Sequence, residues 1–212
     1  MSQFTREYYE DGVRKGISGY ENYKWMPTRS IPEALEIKNY FETSSVLDYG
    51  CAKGYLVHAL RMLGVQACGE DISDYAIENC HPRVKEYISK PTDSYYDLII
   101  CKDILEHVEE RDLPELLTNI AKRGRQFFFV IPLGDEDRFR IREYEVDVTH
   151  VTKKDEEWWI RMCESCGLRL TNFSYSFGAI KEKWIKPYPH GNGFFCLEKI
   201  ITKDNNRPLG WA

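Results

Sequence analysis

Long hydrophobic runs are missing from this 212-residue chain, and none approaches the roughly 18 residues needed to span a bilayer. The opening stretch, MSQFTREYYEDG, lacks a basic start followed by an apolar core, so a cytosolic location and no membrane partner are expected. A positive excess is missing as well. Lys and Arg number 29 against 34 Asp and Glu, a formal charge of −5, which gives no general attraction to a long nucleic acid or an anionic surface. The seven cysteines are scattered and odd in number. Cys163 and Cys166 make one C-x-x-C, but the run EEWWIRMCESCG around them reads as helix and no second pair completes a zinc set. The G-x-G-x-x-G of dinucleotide sites and the G-K-[ST] of triphosphate loops are both absent, as are internal repeats.

What the chain does contain, from residue 45 onward, is an alternation of two periodicities. SSVLDYG is a short apolar strand, followed by YLVHALRMLG with apolar residues at helical spacing and Gly64 as its stop. VQACGED is a second strand, Ser73 caps DYAIENC, and VKEYIS is a weak third strand. YDLIICKD and RQFFFVIPL read as strongly buried strands on either side of the helix LPELLTNIAKRG. Thr152 with Asp155 resembles a capping box ahead of EEWWIRMCESCG, after which LRLTNFSYSFG and GNGFFCLEKI form a pair of strands with no helix between them. The expected fold is α/β: a Rossmann-like, mainly parallel seven-stranded sheet with an antiparallel last strand and helices on both faces. Residues 1–42, rich in Tyr and charge and ending in the helix PEALEIKNYF, read as an arm or lid over a domain spanning 43–202, with a tail at 203–212.

In such a sheet, ligands bind beyond the carboxyl ends of the strands where the strand order reverses, and the loop VLDYGCAKG lies there. Gly50 and Gly54 let the backbone turn and approach a ligand, while the following helix turns its free amides toward an anion. Asp48 ends the strand with a negative charge, so the loop suits a ligand carrying both an ammonium and an anionic group. An amino acid moiety has both. Asp71, 23 residues on, can accept two hydrogen bonds from a ribose diol, with Ile72 against a flat base. An amino acid joined to a nucleoside is S-adenosylmethionine. At this point the chain resembles the class I S-adenosylmethionine-dependent methyltransferases over about residues 45–200, including YDLIICKDILEHV. The resemblance implies S-adenosyl-L-methionine as cofactor, with Asp48, Gly50, Cys51, Gly54 and Lys102 toward its methionine part and Asp71 and Ile72 toward its nucleoside. Ala52 stands where the family usually has its middle glycine, and its methyl is accommodated if φ is negative.

Cys101-Lys-Asp-Ile104 follows the fourth strand in place of the [DN]-P-P-[YF] of family members that methylate planar amino groups, which favours oxygen as the methyl acceptor. A base is needed for so poor a nucleophile. Asp103 and His107 after the fourth strand and His150 after the fifth should meet at one sheet edge and are the expected catalytic residues. With Glu106 they resemble the E-x-x-E-H…H pattern by which small-RNA terminal 2′-O-methyltransferases hold a divalent metal. The favoured reading of the set is base and substrate contacts without a metal. Tyr20, Tyr23 and Trp25 of the arm and His190 in KPYPHGNG are expected to line the acceptor's place. GYENYKW, GCAKG and DVTHVT are similar to methyltransferases of bacterial surface-polysaccharide gene clusters. That resemblance implies an O-methyltransferase acting on a small-molecule acceptor, a sugar or nucleotide-linked sugar. The other readings are a metal-assisted 2′-O-methyltransferase of an RNA end and a catalytically silent cofactor-binding module acting through a partner.

Overall fold

The computed structural model describes residues 3–135 and 137–200, so the expected tail at 203–212 lies outside the described residues. The arm holds two short helices, α1 (Arg6–Glu10) and α2 (Gly12–Lys15), and is followed by α3 (Pro27–Phe41). Then come β1 (Ser45–Tyr49), α4 (Tyr55–Met62), β2 (Gln66–Glu70), α5 (Asp74–Glu78), β3 (Ile88–Ser89), β4 (Tyr96–Lys102), α6 (Leu113–Lys122) and β5 (Gly124–Pro132). A small hairpin of β6 (Gly134–Asp135) and β7 (Arg138–Phe139) precedes α7 (Glu156–Ser165), β8 (Leu168–Ser174), α8 (Glu182–Ile185) and β9 (Asn192–Lys199).

Seven strands make one sheet in the order β3-β2-β1-β4-β5-β9-β8, in which β9 alone runs against its neighbours. This is the Rossmann-like arrangement the alternation predicts. Successive strand residues point to opposite faces, so a strand covered on both sides is apolar at every position. Val46, Leu98, Ile100, Phe128 and Val130 pack with Ala34, Ile37 and Phe41 of α3 and Val57 and Leu60 of α4. Their neighbours Leu47, Ile99, Cys101, Phe127 and Phe129 pack with Leu117 and Ile120 of α6 and Trp159 and Cys163 of α7. Phe127, Phe128 and Phe129 are fully buried, worth roughly 1.5–3 kcal/mol each.

Four local expectations are corrected. VKEYIS is a strand only in its last two residues: Pro82–Tyr87 is a 3₁₀ turn, with the Val84 amide bonded to the His81 carbonyl, and pairing is confined to Ile88 and Ser89. α3 starts at Pro27, whose fixed φ and missing amide suit the first turn, rather than at Pro32. The cap of α7 is Asp155, which accepts from the Trp158 amide, whereas the Thr152 hydroxyl donates across to the Val108 carbonyl. One helical turn, α8, stands between the last two strands, ending just before Pro187.

Candidate active site

The strand order reverses between β1 and β4, and beyond their carboxyl ends lies a cavity of 930 Å³. Asp48, Gly50, Cys51, Asp71, Ile72, Lys102, Asp103, His107, Tyr20 and Tyr23 all line it, so the sheet and its loops gather eight of the residues expected at a site and the arm adds two. Gly54, Trp25, His150 and His190 do not. Gly54 lies beneath the loop as the start of α4, with φ +70 and Val84 and Ile88 against its α-carbon. Trp25 packs on the stacked rings of His58 and His81. His190 is exposed beside the Tyr175 ring.

At one end, Gly50 has φ +75 and no room for a side chain, because the Ile104 side chain fills the space a Cβ would take. Ala52 also adopts a left-handed φ, +50, so the condition under which its methyl would be accommodated without strain is not met. Its amide donates to Asp71 Oδ2 at 2.7 Å, and the Ser73 amide donates to Asp71 Oδ1 at 2.7 Å. Both carboxylate oxygens are thereby aimed, with lone pairs to spare. The neighbouring Glu70 turns away, as strand alternation requires, and pairs with Arg123 at 2.7 Å. Asp48 is 5% exposed, and burial pushes its carboxyl up to about 7. Cys51 is buried, which raises its thiol well above the usual range and leaves it neutral.

At the other end, Asp103 takes a φ of +58 and is held by two ammonium groups, Lys102 Nζ at 3.0 Å and Lys181 Nζ. Burial opposes its ionisation, but the two cations outweigh that and hold the carboxyl far below its usual range. Lys181 also donates to Tyr144 Oη at 2.8 Å and Asn192 Oδ1 at 2.9 Å, so its ammonium is fully satisfied. Beside this cluster, His107 Nδ1 lies 2.7 Å from Thr149 Oγ1. The Thr149 hydroxyl donates its one proton to Asp147 Oδ1 at 2.6 Å, so it accepts from His107 Nδ1–H and leaves Nε2 with a bare lone pair. Burial, then the nearby His150, lowers the His107 pKa to about 4, keeping the ring neutral at pH 7.

His150 sits behind His107, ring centroids 4.6 Å apart, with its Nδ1 bonded to the Tyr144 carbonyl at 2.8 Å. Donor atoms of Glu106, His107 and His150 all lie within 4.8 Å of one another. Glu106 is fully buried, and its two carboxyl oxygens lack a hydrogen-bond partner among the described residues. Three such donors fit a divalent cation; Asp103, which the sequence pattern would add, is taken by the two lysines.

Sequence reasoning missed Lys181, just ahead of α8, Tyr144, in a 3₁₀ turn, and Asn192, the first residue of β9, none of which carries a local motif. It also passed over Asp147 and Thr149, although DVTH was noted for its histidine. Arg29 and Glu33 of α3 line the cavity too, joined by Arg29 Nε to Glu33 Oε1 at 3.2 Å.

The model of the methyltransferase domain matches residues 21–172. An S-adenosylmethionine-dependent methyltransferase from Archaeoglobus fulgidus is 18% identical, with a TM-score of 0.58 over 79% of this chain and 93% of that one. A TehB-like S-adenosylmethionine-dependent methyltransferase from Corynebacterium glutamicum is 16% identical, with a TM-score of 0.58 over 79% and 87%. An O-methyltransferase of neocarzinostatin biosynthesis, solved with S-adenosylmethionine and a hydroxy-methyl-naphthoic acid, is 10% identical, with a TM-score of 0.59 over 78% and 52%. No helix among the described residues is long and apolar enough to cross a membrane. The chain belongs to the methyltransferase-domain family, the S-adenosylmethionine-dependent class I methyltransferases.

Proposed function

We propose that the protein transfers a methyl group from S-adenosylmethionine to a hydroxyl of a small acceptor, a sugar or nucleotide-linked sugar, with His107 as the base. The carrying observation is the cavity-lining imidazole whose Nδ1–H is tied to Thr149, leaving Nε2 free to take a proton. In this reading Asp48 pairs with the methionine ammonium, Lys102 and Arg29 supply positive charge for the carboxylate, and Gly50 and Cys51 give close backbone approach. Asp71 receives the ribose diol, and Ile72, 54% exposed, lies against the adenine. The transfer is an in-line displacement, so holding the hydroxyl behind the methyl carbon supplies much of the acceleration. Tyr20 and Tyr23 offer ring faces to a pyranose, Asp103 offers an ionised acceptor beside them, and His150 backs the base. The domain division at residue 42, with the arm over the cavity, belongs to the same reading.

Turnover of labelled cofactor against sugars, nucleotide sugars, phenols and short RNAs tests the acceptor class. Asp71→Ala should weaken cofactor binding at least tenfold, whereas His107→Gln should leave binding within twofold and lower kcat about 100-fold. Equal losses of binding in the two variants would refute this division of roles.

A second reading is favoured by the donor cluster of Glu106, His107 and His150. There the three would hold a divalent cation that polarises the acceptor oxygen, as at an RNA 3′ end. Loss of turnover with a chelator, restored by Mg²⁺ or Mn²⁺, would select it.

A further inference from the structure

Three buried groups and a half-buried imidazole stand in one hydrogen-bonded line: Tyr8, Asp147, Thr149 and His107. The Tyr8 hydroxyl donates to Asp147 Oδ2 at 2.7 Å; Asp147 Oδ1 accepts from the Thr149 hydroxyl at 2.6 Å and its amide at 3.0 Å; Thr149 Oγ1 then accepts from His107 Nδ1–H. Tyr8, Asp147 and Thr149 are each 7% exposed or less. Three of the four belong to the sheet's rim, but Tyr8 belongs to the arm. The arm also touches the imidazole directly, where the Phe4 ring meets the His107 ring edge-on with centroids 5.3 Å apart.

The same few arm residues also reach the opposite end of the cavity. The Phe4 carbonyl accepts from the Ser73 hydroxyl at 2.5 Å, and the Ser73 amide is the one that fixes Asp71. Glu10 takes Lys53 and the Tyr75 hydroxyl. Within seven residues, the arm therefore joins the carboxylate at the nucleoside end to the imidazole at the acceptor end.

We infer that Tyr8 is a positioning residue for His107: it fixes Asp147, which fixes Thr149, which fixes the imidazole, so the base is aimed only while the arm lies across the cavity. This rests on the reading of His107 as base. The physical reason is that a carboxylate with one oxygen unpartnered can rotate, and a hydroxyl released from it can donate back to the ring and switch its tautomer. A base in the wrong tautomer presents a proton where it should present a lone pair.

The test uses the full chain, labelled with ¹⁵N at histidine and saturated with S-adenosylhomocysteine. Ring ¹⁵N spectra should show His107 almost wholly as the Nδ1–H tautomer. Tyr8→Phe keeps the ring and deletes only the hydroxyl; it should lower the ratio of Nδ1–H to Nε2–H at least threefold. Thr149→Val should abolish the preference, while His150, held by the Tyr144 carbonyl, stays unchanged in both. An unaltered His107 tautomer in Tyr8→Phe, with Thr149→Val altered, overturns the inference. With an acceptor that turns over, kcat should fall about tenfold in each variant, with cofactor KM within twofold and the double variant no worse than the weaker single. Multiplied losses would mean separate structural effects and would also overturn it. If His107→Gln keeps full turnover while the tautomer result holds, the base reading fails and the positioning chain stands.

Discussion

Asp48 carries the most direct residue-scale prediction. Burial lifts its carboxyl to about 7 against an ordinary 3.8, so the stability it lends the ligand-free fold is full below 3.8 and lost as the pH rises through about 7. The Tm of the ligand-free protein should therefore fall from pH 5 to pH 8 relative to Asp48→Asn, measured calorimetrically. An ammonium placed beside Asp48 favours its ionised form, so binding S-adenosylhomocysteine at pH 7 should release about half a proton. Titrations in phosphate and in Tris should differ accordingly, and the difference should vanish in Asp48→Asn. A second prediction concerns Ala52. A left-handed alanine costs about 1–2 kcal/mol, partly offset by the chain entropy a glycine adds to the unfolded state, so Ala52→Gly should stabilise the protein by about 0.5 kcal/mol in urea. At this scale the placing of Asp48, Gly50 and Asp71 on the cavity wall was legible, because they sit at fixed positions after strands that can be read from their apolar runs. The cluster around Asp103 was not. Lys181, Tyr144 and Asn192 gain meaning from a shared neighbour across the fold, and nothing local to any of them announces it.

Among the elements, the reading succeeded where a period and a terminus agreed. α6, with Pro114 in its first turn, and α5, whose Ser73 hydroxyl accepts from the Ala76 amide, both fall where those signals put them. It failed where two candidates competed for one job. Thr152 and Asp155 both look like caps of α7, and the contest is decided by Val108, which takes the Thr152 hydroxyl from across the fold. Asp155→Ala should accordingly cost about 1 kcal/mol in chemical denaturation through loss of the cap. The third strand was overread because alternation survives through a 3₁₀ turn: Val84 and Ile88 are buried, but the three residues between them are spanned by turn and not by extended chain.

The molecule as a whole is organised by one reversal of strand order, which opens a crevice, and by the arm that crosses it. Charge balance argued against some partners without pointing to a site; topology pointed to one, since ten expected residues stand around one cavity. The arm's contacts to Ser73, Lys53 and Asp147 predict that S-adenosylhomocysteine slows trypsin cleavage after Arg14, Lys15 and Lys24 about tenfold. Mass spectrometry of timed digests would measure this, and equal rates with and without the ligand would show an arm indifferent to what it covers.

Six strands of the sheet run one way, but β9 runs the other and begins at the edge where they finish: Asn192, its first residue, stands opposite Pro132, the last of β5. The segment leading into β9 is thus delivered to that edge head first, and it carries Lys181 onto Asp103, which lines the cavity. On the proposed reading of the site, lengthening or rewriting residues 175–191 would remodel what the enzyme accepts and leave untouched the residues assigned to the methyl donor, a natural place for relatives to diverge in taste.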